Sequence, residues 1–218
     1  MQNIFHYDSK FMQILLKFAD YIILNMIYLA CCVPIITIGA AQAGLYNGLR
    51  VLQDNEDDSS CVKAFFRGFT NGFGTITILW VISAIVIAFL GYNTLALYAY
   101  VNADMPGSAV PFWMCVVAVS LCLIYQSMMP LFHSRFGCTV MQLLKNTVFV
   151  IMANPFHSIA VAVLLWAPVI LIPIDYALFT YASIILLFLY YSTMLGFSVK
   201  IMSKPFKRLT DNFNEQSN

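Results

Sequence analysis

Six cysteines and three histidines are the side chains in this sequence that could bind a metal or act as nucleophiles. Cys31 and Cys32 are adjacent, and no two cysteines have the C-x-x-C spacing of a zinc or redox site. The remaining candidates are scattered along the chain: His6, Cys61, Cys115, Cys122, His133, Cys138 and His157. We therefore predict no metal, no cofactor and no catalytic residue. Cys31 and Cys32, beside Pro34, are the only candidate reactive groups that an intramembrane enzyme could use. An enzyme ranks third among the functions that we consider below.

Carboxylates are concentrated in one short segment, Asp54, Glu56, Asp57 and Asp58. This segment lacks the glycine and the terminal glutamate of a calcium-binding loop, so it is typical of a solvated turn. No Ser/His/Asp set and no phosphate-binding loop can be recognised elsewhere. The sequence therefore indicates a protein that is not an enzyme.

The scarcity of charge places the chain in a membrane. Charged residues make up 10% of the 218 residues, whereas an ordinary soluble domain contains about 25%. Each of five segments without Asp, Glu, Lys or Arg exceeds the roughly 20 residues that cross a hydrocarbon core: 21–49, 68–103, 105–134, 146–174 and 176–199. The pattern predicts an all-α, polytopic transmembrane helical bundle in the lipid bilayer. The net charge of +1 does not favour nucleic acid as a partner.

About five spanning helices are expected within a single membrane domain, 1–218. We place them at residues 21–40, 76–100, 111–132, 156–174 and 176–199. Pro34 lies near the far end of the first span and should kink it. The last two spans should form a tight hairpin, and residues 204–218 form a C-terminal tail.

Two segments between the spans have the apolar periodicity of amphipathic helices, residues 41–75 and 138–151. In the first, an apolar stripe lies opposite polar residues; it consists of Val62, Phe65, Phe66, Phe69 and Phe73. Gly68 and Gly72 would let another backbone approach closely. Such helices either rest on the cytoplasmic surface of the bilayer or dock a partner protein, and the pattern leaves both readings open.

Lysine and arginine are distributed unequally between the two sides of a five-span protein. Only Lys10 and Lys17 precede the first span. The other nine fall on the opposite side: Arg50, Lys63, Arg67, Arg135, Lys145, Lys200, Lys204, Lys207 and Arg208. Because basic residues favour the cytoplasmic side, we predict the N-terminus outside and the C-terminus inside.

Two groups of residues are candidates for a functional surface. The first lies around the predicted kink of the first span: Asn25, Pro34, Thr37 and Gly39. The second is on the predicted cytoplasmic face: Arg67, Asn71, Arg135, Lys145 and Asn146. Helix packing and anchoring by positive charge are the alternative explanation for both groups. Asn25 and Gln126 are the deepest uncharged polar groups, and each is expected to form an interhelical hydrogen bond.

Several stretches of the chain resemble the YesL family of small bacterial membrane proteins. The most specific is CVPIITIGAA at residues 32–41, with Leu24-Asn25 before it and Leu45-Tyr46 after it. The resemblance continues through Phe65-Phe66, Phe69, Asn71, Phe73, Pro130-Leu131, Arg135-Phe136, Lys145-Asn146 and Pro155. Thr147 departs from the family, whose members often have a small residue after the Lys-Asn pair.

This resemblance implies a function by association, since the family is named for a domain of unknown function. Its members are often encoded beside carbohydrate importers of the ATP-binding-cassette (ABC) type in Gram-positive bacteria. It implies a non-enzymatic accessory subunit of the cytoplasmic membrane that binds the sugar permease subunits. The alternative is a small transporter or channel that works as a homo-oligomer. Substrate flux into liposomes that contain only this protein would distinguish the two.

Overall fold

The structure is a computed structural model that describes residues 10–54, 60–103, 105–171 and 190–216. These residues are almost entirely helical and contain no strand, which confirms the all-α class. The helices are α1 (Lys10–Cys31), α2 (Ile38–Asp54), α3 (Cys61–Asn102), α4 (Ala109–Phe136), α5 (Val140–Ala153), α6 (Pro155–Leu171) and α7 (Tyr191–Gln216).

Helices α3 and α4 are long and apolar enough to cross a membrane. The described residues contain a third span if α5 and α6, which meet at an angle of 107°, are counted together. Phe89, Tyr92 and Leu95 of α3 are 67%, 74% and 72% exposed, as expected of side chains that face lipid rather than water. These helices are compatible with a membrane protein, while the predicted count of about five spans is not confirmed.

The predicted single span over residues 21–40 is wrong, because the chain reverses in the middle of it. Helix α1 ends at Cys31, a short 3₁₀ turn follows at Ile35–Thr37, and α2 begins at Ile38. Pro34 has no amide hydrogen to donate and keeps an extended backbone, with φ −79° and ψ 116°. The Thr37 hydroxyl closes the turn, since it lies 2.6 Å from the carbonyl oxygens of both Cys31 and Pro34.

Helices α1 and α2 therefore form an antiparallel hairpin. Leu24 of α1 packs against Gly48 of α2. Nearer the open end, the Gln53 side-chain nitrogen lies 3.3 Å from the Tyr21 hydroxyl. Residues at the start of α1 and at the end of α2 consequently lie at the same end of the bundle.

Helix α2 is the centre of the bundle rather than an amphipathic surface helix. It contacts α1, α3, α4 and α7, and its buried residues point in every direction around its axis. They are Gly39, Ala40, Ala41, Ala43, Gly44, Leu45, Tyr46, Asn47, Gly48, Leu49 and Val51. Many of these residues are small, so neighbouring helices can approach α2 from several sides. The predicted amphipathic segment 41–75 is therefore divided, and residues 61–75 are simply the first part of α3.

Glycines bring α2 and α3 into backbone contact, as predicted for Gly68. A Cβ atom on Gly68 would lie 2.8 Å from the Asn47 Cβ and 3.1 Å from the Ala43 carbonyl oxygen. One on Gly44 would lie 2.9 Å from the Phe65 carbonyl oxygen. The Asn47 side chain reinforces the contact by donating a hydrogen bond of 2.8 Å to the Ala64 carbonyl. The helix that approaches Gly68 is thus α2 of the same chain.

The last three helices complete the bundle. In α5, Leu143, Thr147 and Val150 are buried, whereas Gln142, Lys145 and Asn146 are exposed. Helix α6 ends at Leu171, and the remainder of the predicted span 156–174 lies outside the described residues, as does 176–189 of the predicted span 176–199. Helix α7 continues to Gln216, so the predicted tail 204–218 is helical as far as the structure describes it.

A hydrogen bond between spanning helices forms where Gln126 was predicted to make one. The Ser83 hydroxyl of α3 donates to the Gln126 side-chain oxygen of α4, and Gln126 is buried. One residue further along α4, Ser127 accepts a hydrogen bond of 3.1 Å from the Trp166 indole nitrogen of α6. Adjacent polar residues of α4 therefore connect it to two neighbouring helices.

Replacing Gln126 with leucine is expected to lower the free energy of unfolding by about 1 kcal/mol, because the hydrogen bond between α3 and α4 is lost. A double-mutant cycle with Ser83→Ala, measured by thermal unfolding in detergent, should give a coupling of similar size. Ser120→Ala is the control, since the Ser120 hydroxyl bonds only within its own helix, to Val116. A coupling of zero would contradict the interhelical bond.

Candidate functional site

The candidate residues near the predicted kink are mostly packed inside the bundle. Asn25 and Thr37 are buried, and so is Gly39, where a Cβ atom would lie 2.6 Å from the Trp80 Cβ. Pro34 alone of this group is exposed, at the tip of the α1–α2 hairpin. Three of the four therefore form helix contacts and not an accessible surface.

The candidate residues on the predicted cytoplasmic face lie in different surroundings. Arg67 and Asn71 are exposed on α3, and Lys145 and Asn146 are exposed on α5. Arg135, at the end of α4, is half-buried and faces a cavity. Of all the predicted site residues, Arg135 alone lines this cavity.

The cavity has a volume of about 580 Å³ and is lined by four cations from four helices, so we call it the basic cavity. Lys17 comes from α1, Arg50 from α2, Arg135 from α4 and Lys200 from α7. Among the described residues that line the cavity, Asp54 is the single carboxylate, so these residues carry a formal surplus of three positive charges. The other lining residues are Tyr21, Leu52, Gln53, Thr193, Gly196, Phe197, Val199 and Ser203.

Contacts among α1, α2 and α7 build one wall of the basic cavity. The Gln53 side chain donates a hydrogen bond of 2.8 Å to the Gly196 carbonyl of α7 and lies 3.3 Å from the Tyr21 hydroxyl. A Cβ atom on Gly196 would lie 2.9 Å from that hydroxyl, so glycine is needed for this close approach. The wall is consequently held by helix packing as well as by hydrogen bonds.

The two arginines of the basic cavity are close enough to influence each other. Arg50 and Arg135 repel each other, while Asp54 attracts Arg135. The Arg135 guanidinium carbon also lies 5.7 Å from the centre of the Phe206 ring, in a cation–π contact. Aromatic packing and one carboxylate thus hold Arg135 beside a second positive charge.

Lys17 and Arg50, which were predicted on opposite sides of the membrane, lie at the same end of the bundle. Both residues line the basic cavity, together with Arg135 and Lys200. The reversal of the chain between α1 and α2 is the physical reason, since it returns Arg50 to the end of the bundle from which α1 starts. Pro34 was the signal in the sequence, but it was interpreted as a kink rather than as a reversal.

The basic cavity could not be recognised as a site from the sequence. Lys17, Arg50 and Lys200 are separated by long apolar stretches, and each resembles an ordinary anchoring charge beside a span. Only the folded arrangement of four helices brings them together. Arg135 was predicted for a different reason, as part of a cytoplasmic docking face.

Within the described ranges, no three His, Cys, Asp or Glu side chains are close enough to hold a metal ion, and all six cysteines are free, half-buried thiols. At Cys138, between α4 and α5, burial raises the pKa of the thiol, and a hydrogen bond from Asn146 only partly opposes this. Cys138 is therefore protonated at neutral pH and is a poor nucleophile.

Comparison with known proteins gives one match. Residues 21–94 match the family model described as "Protein of unknown function, DUF624". The matched segment includes the second half of α1, all of α2 and α3 as far as Thr94, which is less than half of the chain. No curated protein and no solved structure matches significantly. The match supports a resemblance to a family of unknown function, and it does not test the name YesL.

Proposed function

We propose that the protein is a non-enzymatic accessory subunit of the bacterial cytoplasmic membrane that binds the permease subunits of an ABC carbohydrate importer. The resemblance to the YesL family supports this assignment. The observation in the structure that supports it best is the surface of the outer α3–α4 hairpin.

This hairpin extends beyond the rest of the described bundle. Gly39, at the start of α2, packs against Trp80, so α2 accompanies only the first half of α3. Beyond Trp80, α3 and α4 contact each other, and the rings of Tyr98 and Phe112 are 6.1 Å apart. The outward side chains of both helices are large and apolar: Ile85, Phe89, Tyr92, Leu95, Val110, Trp113, Met114, Val117 and Leu121. In lipid, a long apolar helix pair of this kind can pack laterally against the helices of another membrane protein.

Affinity purification in mild detergent from the native membranes tests the proposed function. We expect a sugar permease and its ATPase to be recovered in a fixed ratio with the tagged protein. Replacing both Phe89 and Tyr92 with alanine should reduce that recovery. The matched control replaces Phe149 and Phe156 with alanine, since these two are also exposed but lie on α5 and α6. Recovery of the tagged protein alone would contradict the proposal.

The second candidate is a small oligomeric transporter or channel. The basic cavity favours it, because an opening of about 580 Å³ lined by polar groups could admit a solute. Flux of sugars or anions into liposomes that contain only this protein would establish it. Absence of flux across a broad panel of sugars and anions would argue against a transporter and leave the accessory subunit as the proposed function.

The topology that we propose places both termini in the cytoplasm. Since α1 and α2 form a hairpin, Lys17 and Arg50 lie at the same end of the bundle. All eleven lysines and arginines of the chain then fall on one side of the membrane, a stronger asymmetry than the prediction with the N-terminus outside. The distance from Tyr21 to Cys31 is only about 15 Å along the helix axis, half of the hydrocarbon core. We therefore infer that the α1–α2 hairpin enters the membrane from the cytoplasmic side and returns.

Reporter fusions test this topology. A fluorescent protein that folds only in the cytoplasm should be fluorescent when fused to either terminus. Alkaline phosphatase, which is active only outside, should be active when inserted at Gly107, between α3 and α4. If the C-terminal fusion is fluorescent and the N-terminal fusion is not, the topology with the N-terminus outside would be correct instead.

A further inference from the structure

The basic cavity concentrates positive charge where solvent is partly excluded. Among the described lining residues, four cations face one carboxylate, and the two half-buried arginines repel each other. Like charges that are held together by a fold are costly unless an anion balances them. We propose that the basic cavity is a binding site for a phosphate group, carried either by the headgroup of an anionic lipid or by free inorganic phosphate.

The identity of the cations favours phosphate. A guanidinium group presents a planar set of donors that matches two oxygens of a phosphate group, and Arg50 and Arg135 supply two such groups. Lys17 and Lys200, which are exposed, add compact charges from α1 and α7. The contact of Arg135 with Phe206 restrains its side chain before any ligand binds, which lowers the entropic cost of binding.

The size and the walls of the basic cavity suit both sources of phosphate. Its volume of about 580 Å³ is within the range of small-molecule sites. Leu52, Phe197 and Val199 form an apolar part of the lining beside the cations, and Phe197 is 57% exposed. A lipid would place its headgroup on the arginines and the start of its chains along this apolar part. Free phosphate would use the cations alone.

This inference does not depend on the proposed partner, because the basic cavity is formed within one chain. The proposed topology places the cavity at the cytoplasmic end of the bundle, where both lipid headgroups and free phosphate are present. The test therefore uses the purified full-length protein and does not require a permease.

Two measurements on the same samples distinguish the sources. The protein is reconstituted in nanodiscs of phosphatidylcholine with or without phosphatidylglycerol, and retained lipids are counted by native mass spectrometry. Separately, inorganic phosphate is titrated calorimetrically into protein in neutral detergent at constant ionic strength. Both measurements are repeated with two double variants. The cavity variant carries Arg50→Gln and Arg135→Gln, and the matched control carries Lys63→Gln and Arg67→Gln. The control removes the same charge from exposed positions on α3.

Selective retention of phosphatidylglycerol that falls at least tenfold in the cavity variant, but not in the control, would assign the site to a lipid headgroup. Binding of inorganic phosphate with the same dependence would assign it to free phosphate. Lys200→Gln provides a further variant if the double variant does not fold, because Lys200 is exposed, and it should weaken binding severalfold. Equal binding by the cavity and control variants, or no binding in either measurement, would overturn the proposal.

Discussion

Replacing Gly68 with alanine is expected to lower the free energy of unfolding by about 2–3 kcal/mol. The added Cβ would lie 2.8 Å from the Asn47 Cβ, 3.1 Å from the Gly44 Cα and 3.1 Å from the Ala43 carbonyl oxygen. Most of these neighbours are backbone atoms of α2, which cannot rotate away as the end of a side chain can. Helices α2 and α3 must therefore separate, and the Asn47 hydrogen bond to the Ala64 carbonyl would be strained with them.

Gly74→Ala in the same helix is the matched control, and it should not lower the free energy of unfolding. A Cβ atom there meets nothing within 4 Å. Since alanine favours a helix by about 1 kcal/mol over glycine, this variant should be unchanged or slightly more stable. Thermal unfolding of both variants in the same detergent, followed by size-exclusion chromatography, makes the comparison. Equal stability of the two variants would contradict the contact between α2 and α3.

Placing aspartate at both Ile35 and Ile36 is expected to prevent stable insertion of the α1–α2 hairpin into the membrane. These side chains are 72% and 58% exposed at the tip of the hairpin, and neighbouring Val33 is 82% exposed. If the tip faced water, each change would alter stability by about 0.5 kcal/mol or less, as at other surface positions. In the hydrocarbon core, each aspartate would cost about 2.5–3.5 kcal/mol. The size of the effect therefore reports which environment surrounds the tip.

The measurement is the amount of each variant that accumulates in the membrane, together with its unfolding temperature in nanodiscs. Thr70→Asp is the control, because Thr70 is exposed on α3 between Arg67 and Asn71, at the end that should face the cytoplasm. We expect the control to accumulate normally and the double variant to be depleted or degraded. Normal accumulation of the double variant would place the tip in water and would remove the proposed hairpin insertion.

The elements that could be predicted from the sequence are those defined by local properties of the chain. Helices α3 and α4 follow from two long segments without charge, and the hydrogen bond of Gln126 follows from the cost of an unpaired amide in lipid. The spacing of Gly68 and Gly72 indicated a close backbone approach, and α2 approaches α3 at Gly68. Each of these predictions depends on the residues of one helix and not on the identity of the helix that packs against it.

The centre of the fold and the basic cavity depend on the tertiary structure. Residues 41–75 were predicted to be amphipathic, but α2, which contains the first of them, is enclosed on all sides. In a membrane protein, apolar residues are equally suited to lipid and to the protein interior, so hydropathy cannot separate the two. The cations of the basic cavity are distant in sequence and meet only because the chain reverses at Pro34. Composition and charge spacing determined that the chain is a helical membrane protein, whereas packing around α2 decided which ends of the helices coincide and where positive charge accumulates.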